Sequence, residues 1–228
     1  MIGVVCALAA EARPLARLAG ASVSVSGMGG DAAAAAARAL IDSGATALLS
    51  WGLAGALDPA LAAGALFLPS CVMASGGAAL DMAPAWHQRL RAALADQHPI
   101  ARGTLLTSAR ALGSAAAKAA AFRDTGALAV DMECLPVAQV AAAHGLPFVA
   151  IKVIVDRAAD DLPRAVAAAA DAAGRLHLWR LLGALARSPA DLAPLSRLAL
   201  RYRAASRTLA AAARVGSLAP AGAAVPRS

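Results

Sequence analysis

A chain of 228 residues that is 60% hydrophobic and 15% charged is too apolar for intrinsic disorder and long enough for one large domain with an extension. With aromatics at 3%, the core must be built from Ala, Leu and Val, and no run reaches the ~18 uninterrupted apolar residues of a membrane-spanning helix. The net charge of +7 is unevenly placed: residues 1–174 carry 12 Lys+Arg against 13 Asp+Glu, and residues 175–228 carry nine arginines against the single acid Asp191.

Short β-rich runs alternate with helical patterns along the chain, which points to an α/β layer fold. Residues 2–8 predict a buried first strand; the apolar opening lacks a basic leader and meets Glu11 at once, which argues against a signal peptide. Residues 11–18 predict a short helix and 22–26 a strand, followed by Gly27-Met28-Gly29-Gly30. Asp31 is placed to cap a helix running to Ser43, with Gly44 as its stop. A strand at 46–51 leads into a loop, Gly52-Leu53-Ala54-Gly55. Then come a strand at 65–73, a helix at 84–96 with Pro84 in its first turn, a strand at 104–108 and a helix at 114–122. A short strand at 128–130 leads into Asp131-Met132-Glu133. Residues 134–144 predict a helix stopped by Gly145 and Pro147. Residues 148–155 form a continuous apolar strand, as expected when both sheet faces are covered, interrupted by Lys152. Asp160 or Asp161 caps the next long helix. From about Gly174 the texture changes: Leu176, Leu178, Trp179, Leu181, Leu182 and Leu185 form an apolar stripe beside Arg175, Arg180 and Arg187. Pro189 and Pro194 break it, a second basic helix covers 195–214, and the last dozen residues read as a disordered tail.

In open α/β sheets, ligands bind beyond the carboxyl ends of the strands. Glu11, the Gly52-to-Gly55 loop, Glu133 and Asp156 all fall there. Of the 14 acids, 12 are Asp, and the two Glu are Glu11 and Glu133. Such a set suits splitting a glycosidic bond: one carboxyl protonates the leaving group, another activates water, and a third holds sugar hydroxyls. Singly, each acid reads as a helix cap or a solvated loop acid; their shared placement is what points to a site. His87, His98, His144 and His177 lie far apart and show no metal spacing. Cys6, Cys71 and Cys134 include no CxxC, which argues against a zinc site or a disulfide framework and fits a reducing cytosol. Gly27-Met28-Gly29-Gly30 fails the dinucleotide pattern because Asp31-Ala32 follow.

Five segments resemble motifs of one known superfamily. They are Ile2-Gly3-Val4-Val5 through Ala7-Leu8-Ala9-Ala10-Glu11; Ser26-Gly27-Met28-Gly29; Gly52-Leu53-Ala54-Gly55; Asp131-Met132-Glu133; and Lys152-Val153-Ile154-Val155-Asp156 with Ala159-Asp160. In this order they resemble the nucleoside phosphorylase and nucleosidase superfamily, most of all its 5′-methylthioadenosine/S-adenosylhomocysteine nucleosidase branch. Within it the chain looks closest to the hopanoid-associated phosphorylase-like subgroup, which is associated with removing adenine from adenosylhopane. The resemblance implies a three-layer αβα fold of the phosphorylase/hydrolase type. A twisted mixed central sheet would lie in residues 1–185, with a basic helical extension at 186–214 and a disordered tail at 215–228. It implies that Asp156 protonates the purine, that Glu11 activates water, that Glu133 binds the ribose hydroxyls and that Met132 packs on the sugar. Lys152, Leu53, Ala54, Gly55 and Ser108 are further candidates for substrate contact, with Lys152 expected to pair with Glu11 or orient the nucleophile.

The chain departs from the branch at several points. Leu53 stands for a Ser near the sugar, Lys152 for an Arg, and Val155 for a Ser beside the acid. Residues 107–111 bring no aromatic to the base. Apolar Leu53 and Val155 suit a greasier pocket. The expected reaction is therefore hydrolytic release of adenine from a lipid-linked nucleoside. The alternatives are a phosphate-dependent phosphorylase, a methylthioadenosine/S-adenosylhomocysteine nucleosidase, and a nucleoside-binding module without turnover. No metal or cofactor is expected, with phosphate as co-substrate only for a phosphorylase. The expected partners are a small-molecule nucleoside, a second copy of the chain in a homo-oligomer (a dimer is favoured) and, for the basic extension, a membrane surface. Nucleic acid is disfavoured because stacking aromatics are scarce. The expected location is the cytoplasm, with a peripheral position at the inner face of the membrane.

Overall fold

The computed structural model describes residues 1–16, 18–95, 99–161, 192–215 and 218–220. Among them, ten strands form one mixed sheet around two long strands, β3 (Ala47–Ala56) and β10 (Phe148–Asp156). β1 (Ile2–Cys6) pairs in parallel with β2 (Ala21–Val25) and with residues 47–50 of β3. β10 lies parallel along the other edge of β3. Beyond the end of β1, the first edge of β3 is taken over by β9 (Ala129–Asp131), which runs antiparallel. From β9 the sheet continues through β8 (Thr104–Thr107) and β5 (Cys71–Met73) to β6 (Leu80–Asp81). From β10 it continues through β4 (Leu66–Phe67) to β7 (Ile100–Ala101). The helices are α1 (Ala9–Ala12), α2 (Gly30–Asp42), α3 (Pro84–Ala95), α4 (Ala115–Thr125), α5 (Cys134–Ala143) and α6 (Leu192–Ala212). α2 and α5 pack on each other and on the sheet, and α6 packs along β10. Leu48, Leu49, Val149, Ile151, Val153 and Ile154 are fully buried, which is why both central strands read as unbroken apolar runs.

Several expectations need correction. Residues 52–55 are not a loop. β3 continues through them because β10 pairs with them in parallel, with Lys152 opposite Gly52 and Asp156 opposite Gly55. The run 65–73 is two strands; Pro69 lacks an N–H, and the chain changes partner there, from β10 and β7 to β8 and β6. α1 ends early, giving way to a 3-10 turn at Arg13–Leu15 that contains Pro14. Asp31 does not cap α2. The N-cap is Gly29, and Asp31 sits in the first turn, where its charge suits the helix dipole. The Asp161 carboxylate accepts the N–H of Ala115 at the start of α4, and Asp160 is engaged by Arg157 and Arg201. The helix those two acids were expected to start, the stripe at 176–185 with Arg175, Arg180 and Arg187, His98, His177 and the tail beyond residue 220 lie outside the described residues. The second basic helix is present as α6. Among the described residues no helix is long and apolar enough to cross a membrane.

The start of α5 is where the polar interior is organised. A helix N-terminus leaves N–H groups without intrahelical partners. Here the Cys134 N–H donates to Asp131 Oδ2 (3.1 Å) and the Leu135 N–H to Thr107 Oγ1 (3.0 Å), while residue 136 is proline. The Thr107 hydroxyl in turn donates to Asp131 Oδ1 at 2.7 Å. Lys152, on the buried face of β10, meets Asp131 Oδ2 at 2.8 Å. Burial opposes its charge most strongly, but Asp131, Cys134 and Glu133 together outweigh it and hold the ammonium above its ordinary pKa. Removing one partner of such a pair strands the other charge and costs about 3–5 kcal/mol. Lys152→Met should therefore lower unfolding stability by about that amount in urea denaturation, and the Lys152→Met/Asp131→Asn double variant should recover part of it.

Candidate functional site

The carboxyl ends of β1 and β9 face each other along one edge of β3, because β1 stops opposite Ser50 and β9 ends its pairing at Gly55. Glu11, from α1 just beyond β1, turns its carboxylate into this gap. Oε2 accepts the N–H groups of Ala7 (3.1 Å) and Leu8 (3.0 Å), and Oε1 accepts that of Leu53 (3.1 Å). The backbone carbonyl of Glu11 accepts the Trp51 indole N–H. Glu11 is only 4% exposed. Burial raises its pKa, partly offset by the backbone N–H groups and the Lys152 charge.

Glu133 follows β9 and precedes α5. Its Oε1 accepts the Gly29 N–H at 2.9 Å, which ties it to the glycine turn before α2, and Oε2 accepts the Met132 N–H at 3.3 Å. Burial, then the nearby Asp131 charge, raises its pKa.

Asp156 ends β10 and is 8% exposed. It forms a buried ion pair with Lys118 of α4. The Lys118 ammonium also donates to the backbone carbonyls of Arg157 (3.0 Å) and Asp160 (2.9 Å). Burial pushes the Asp156 pKa up, and the Lys118 charge pulls it back part of the way.

Glu11, Glu133 and Asp156 line one cavity of about 220 Å³. Met132, Leu53, Ala54 and Gly55 line it as well, and Leu8, Met28, Leu112 and Val155 make much of the rest of its wall apolar. The two glycines of β3 make room for the acids. A Cβ on Gly52 would lie 2.8 Å from both Glu11 oxygens, and one on Gly55 would lie 3.1 Å from Asp156 Oδ1.

Two sequence candidates do not line this cavity. Lys152 lies beneath it, where its charge is engaged by Asp131 rather than Glu11. Ser108 lines a neighbouring depression with Gly29, Thr107 and Pro136, and its hydroxyl donates to the Arg110 carbonyl. Two basic residues of the cavity are not among the sequence candidates. Arg110, within the segment expected to face the base, lines the cavity, as does Lys118. For Lys118 one sequence signal existed: a cation in the first turns of a helix opposes the helix dipole and calls for a partner. Among the described residues no group of three or more His, Cys, Asp or Glu is placed to hold a metal ion.

Gly52→Ala should displace the Glu11 carboxylate and leave the Leu53 N–H buried without an acceptor. A loss of about 1–3 kcal/mol is expected, measurable by chemical denaturation.

The sequence model of the Phosphorylase superfamily matches residues 15–182. No curated protein sequence matches the chain. Among solved structures, the futalosine hydrolase of Helicobacter pylori is similar at a TM-score of 0.72 and 16% identity, over 94% of this chain and 96% of that one. The H. pylori 5′-methylthioadenosine/S-adenosylhomocysteine nucleosidase is similar at 0.69 and 15%, over 92% and 96%. The corresponding nucleosidase of Neisseria meningitidis, solved with methylthio-immucillin-A, is similar at 0.69 and 16%, over 94% and 98%. At these identities the structural likeness is one of fold.

Proposed function

Because the chain belongs to the phosphorylase superfamily, we propose that it hydrolyses the N-glycosidic bond of a purine nucleoside and releases adenine. The observation that carries the reading is the meeting of Glu11, Glu133 and Asp156 around one cavity. A purine is a poor leaving group until it is protonated. Asp156 serves as the acid at N7, helped by burial that keeps its proton affinity above that of an ordinary carboxylate. As the C1′–N9 bond breaks, its electron pair goes to the base and positive charge develops on the sugar ring, as in glycoside hydrolysis. Glu133 accepts the 2′- and 3′-hydroxyls, and its charge favours that cation. Met132 packs on the ribose. Glu11 takes the proton of the attacking water, and burial, by raising its pKa, makes it a better base than a solvated glutamate.

Water is favoured over phosphate as the nucleophile by charge. Glu11 and Glu133 would repel an anion, and the Gly29 N–H, which could have cradled one, is engaged by Glu133. The hydrolase and nucleosidases of similar fold accord with this choice. The apolar wall, with Leu8 36% exposed, supports a large apolar 5′ substituent on the ribose, as in adenosylhopane.

Purified protein should release adenine from a lipid-linked adenosine without added phosphate. Asp156→Asn and Glu11→Gln should each reduce the rate by about 10²–10⁴-fold. Near-wild-type rates in both variants, or turnover only with phosphate, would overturn the scheme. Activity should fall on both sides of an optimum: on the acid side as Glu11 gains a proton, on the alkaline side as Asp156 loses one. Both limbs should lie at higher pH than solvated carboxylates would give, since both groups are raised.

We infer further that α6 docks on an anionic membrane surface, where a lipid-linked substrate resides. The described helix carries no acid, and Arg203 and Arg207 share an exposed side with Leu200, which is 64% exposed. An Arg-rich face with an apolar residue suits interfacial binding, and each cation near such a surface contributes about 1 kcal/mol. Co-sedimentation with phosphatidylserine-rich vesicles should be lost in an Arg203→Glu/Arg207→Glu variant. Equal sedimentation of both proteins would refute membrane docking.

A further inference from the structure

Lys118 stands out as a charge in an unfavourable place. It sits near the N-terminus of α4, where the helix dipole disfavours a cation, and it is only 1% exposed. Its three N–H donors are matched by three acceptors: Asp156 Oδ2 and the carbonyls of Arg157 and Asp160. It therefore has no donor left for a ligand, although it lines the cavity. The geometry points to Lys118 as the positioning residue for Asp156: it fixes one carboxylate oxygen, leaves Oδ1 to meet the base, and makes the buried acid a stronger proton donor. This inference rests on the proposed role of Asp156 as the acid.

Two effects compete at Asp156. Burial alone would leave Asp156 a weak acid that holds its proton too tightly. A cation in contact favours the carboxylate, so the proton on Oδ1 passes more readily to N7 as the glycosidic bond breaks. The proton moves from Oδ1 to the base, the Asp156 carboxylate stays paired with Lys118, and solvent returns the proton between turnovers. The other charged groups around Asp156 are Asp160 on the following loop, which opposes ionisation, and Arg201 of α6, which favours it. Across the cavity stand Glu11, Glu133, Asp131 and Arg110. Lys118 is in direct contact with the carboxylate and buried with it, whereas Arg201 reaches the Asp160 carboxylate instead.

The test is a Lys118→Met variant, with Lys118→Met/Asp156→Asn as a second variant in which both charges of the pair are removed and folding is protected. In Lys118→Met, kcat should fall about 10-fold or more with little change in KM. The alkaline limb of the pH profile should move to higher pH, because Asp156 loses the cation that favours its charged form. The double variant should be no slower than Asp156→Asn alone, because Lys118 acts through Asp156. Independently of turnover, a carbon-13 NMR titration of the Asp156 carboxyl should move to higher pH in Lys118→Met. An unmoved titration and limb, with losses that multiply in the double variant, would reduce Lys118 to a structural tie and overturn the inference. If the titration moves but the wild-type protein releases no base, the functional reading fails while the link between Lys118 and Asp156 stands.

Discussion

Between Ser50, where β1 stops, and Gly55, where β9 takes over, one edge of β3 has no strand beside it. Backbone N–H groups in a protein interior must find acceptors, and here the Leu53 N–H finds the Glu11 carboxylate. Much of the site follows from that gap. It is wide enough for a cavity because two strand ends, not two strand sides, meet across it. It draws in the residues that follow each strand, Glu11 after β1 and Glu133 after β9. It also requires glycine at position 52, since any Cβ there would press on the Glu11 oxygens.

The buried acids are stabilised in two different ways. Asp131 and Asp156 are each matched with a buried lysine, Lys152 and Lys118. Glu11 and Glu133 are held by backbone N–H groups instead. Dipolar donors fix a carboxylate in place without a full opposing charge on contact, so burial still leaves it more basic than in water. A full charge in contact offsets part of that burial effect at Asp156, whose proton affinity still stays above the ordinary carboxylate value. In the proposed reaction the two glutamates receive a proton or hydroxyls, and the lysine-paired Asp156 gives a proton up. The division is thus one of partners, backbone N–H groups for the glutamates and lysine for Asp156, while burial raises the proton affinity of all three.

The three acids could be singled out in the sequence because each follows an apolar run that reads clearly as a strand, and strand ends collect ligands in α/β sheets. The continuation of β3 through residues 52–55 could not be read, because two glycines in four residues look like a turn. Their purpose, room for two carboxylates, appears only once Glu11 and Asp156 are in place. Lys152 was visible as a charge in a buried strand, but its partner was not. Glu11, Glu133 and Asp131 are all near it, and the choice of Asp131 depends on how Thr107 and the start of α5 fix that carboxylate. Lys118 was hidden for a similar reason. In an Ala-rich helix a lone lysine reads as a solvated face, and its burial depends on the contact between α4 and the end of β10, set by residues nearly 40 positions away.

The loop after Asp156 connects the acid to the basic helix. Lys118 holds the carbonyls of Arg157 and Asp160, and the Asp160 side chain is held by Arg157 and by Arg201 of α6. The paired arginines and the Arg157 N–H outweigh burial and keep the Asp160 pKa below its usual value, so the loop stays tied to α6 across the neutral range. α6 is fixed a second time by Thr208, whose hydroxyl donates to the Gly64 carbonyl. One face of this helix is therefore tied to the sheet and its loops, while Arg203 and Arg207 are exposed on the other. If that outer face meets a membrane, the loop that follows the proposed acid and the surface that holds the substrate are attached to the same helix. A substrate anchored in lipid would then need to bring only its nucleoside into the cavity, with the apolar wall near Leu8 beside the part that remains outside.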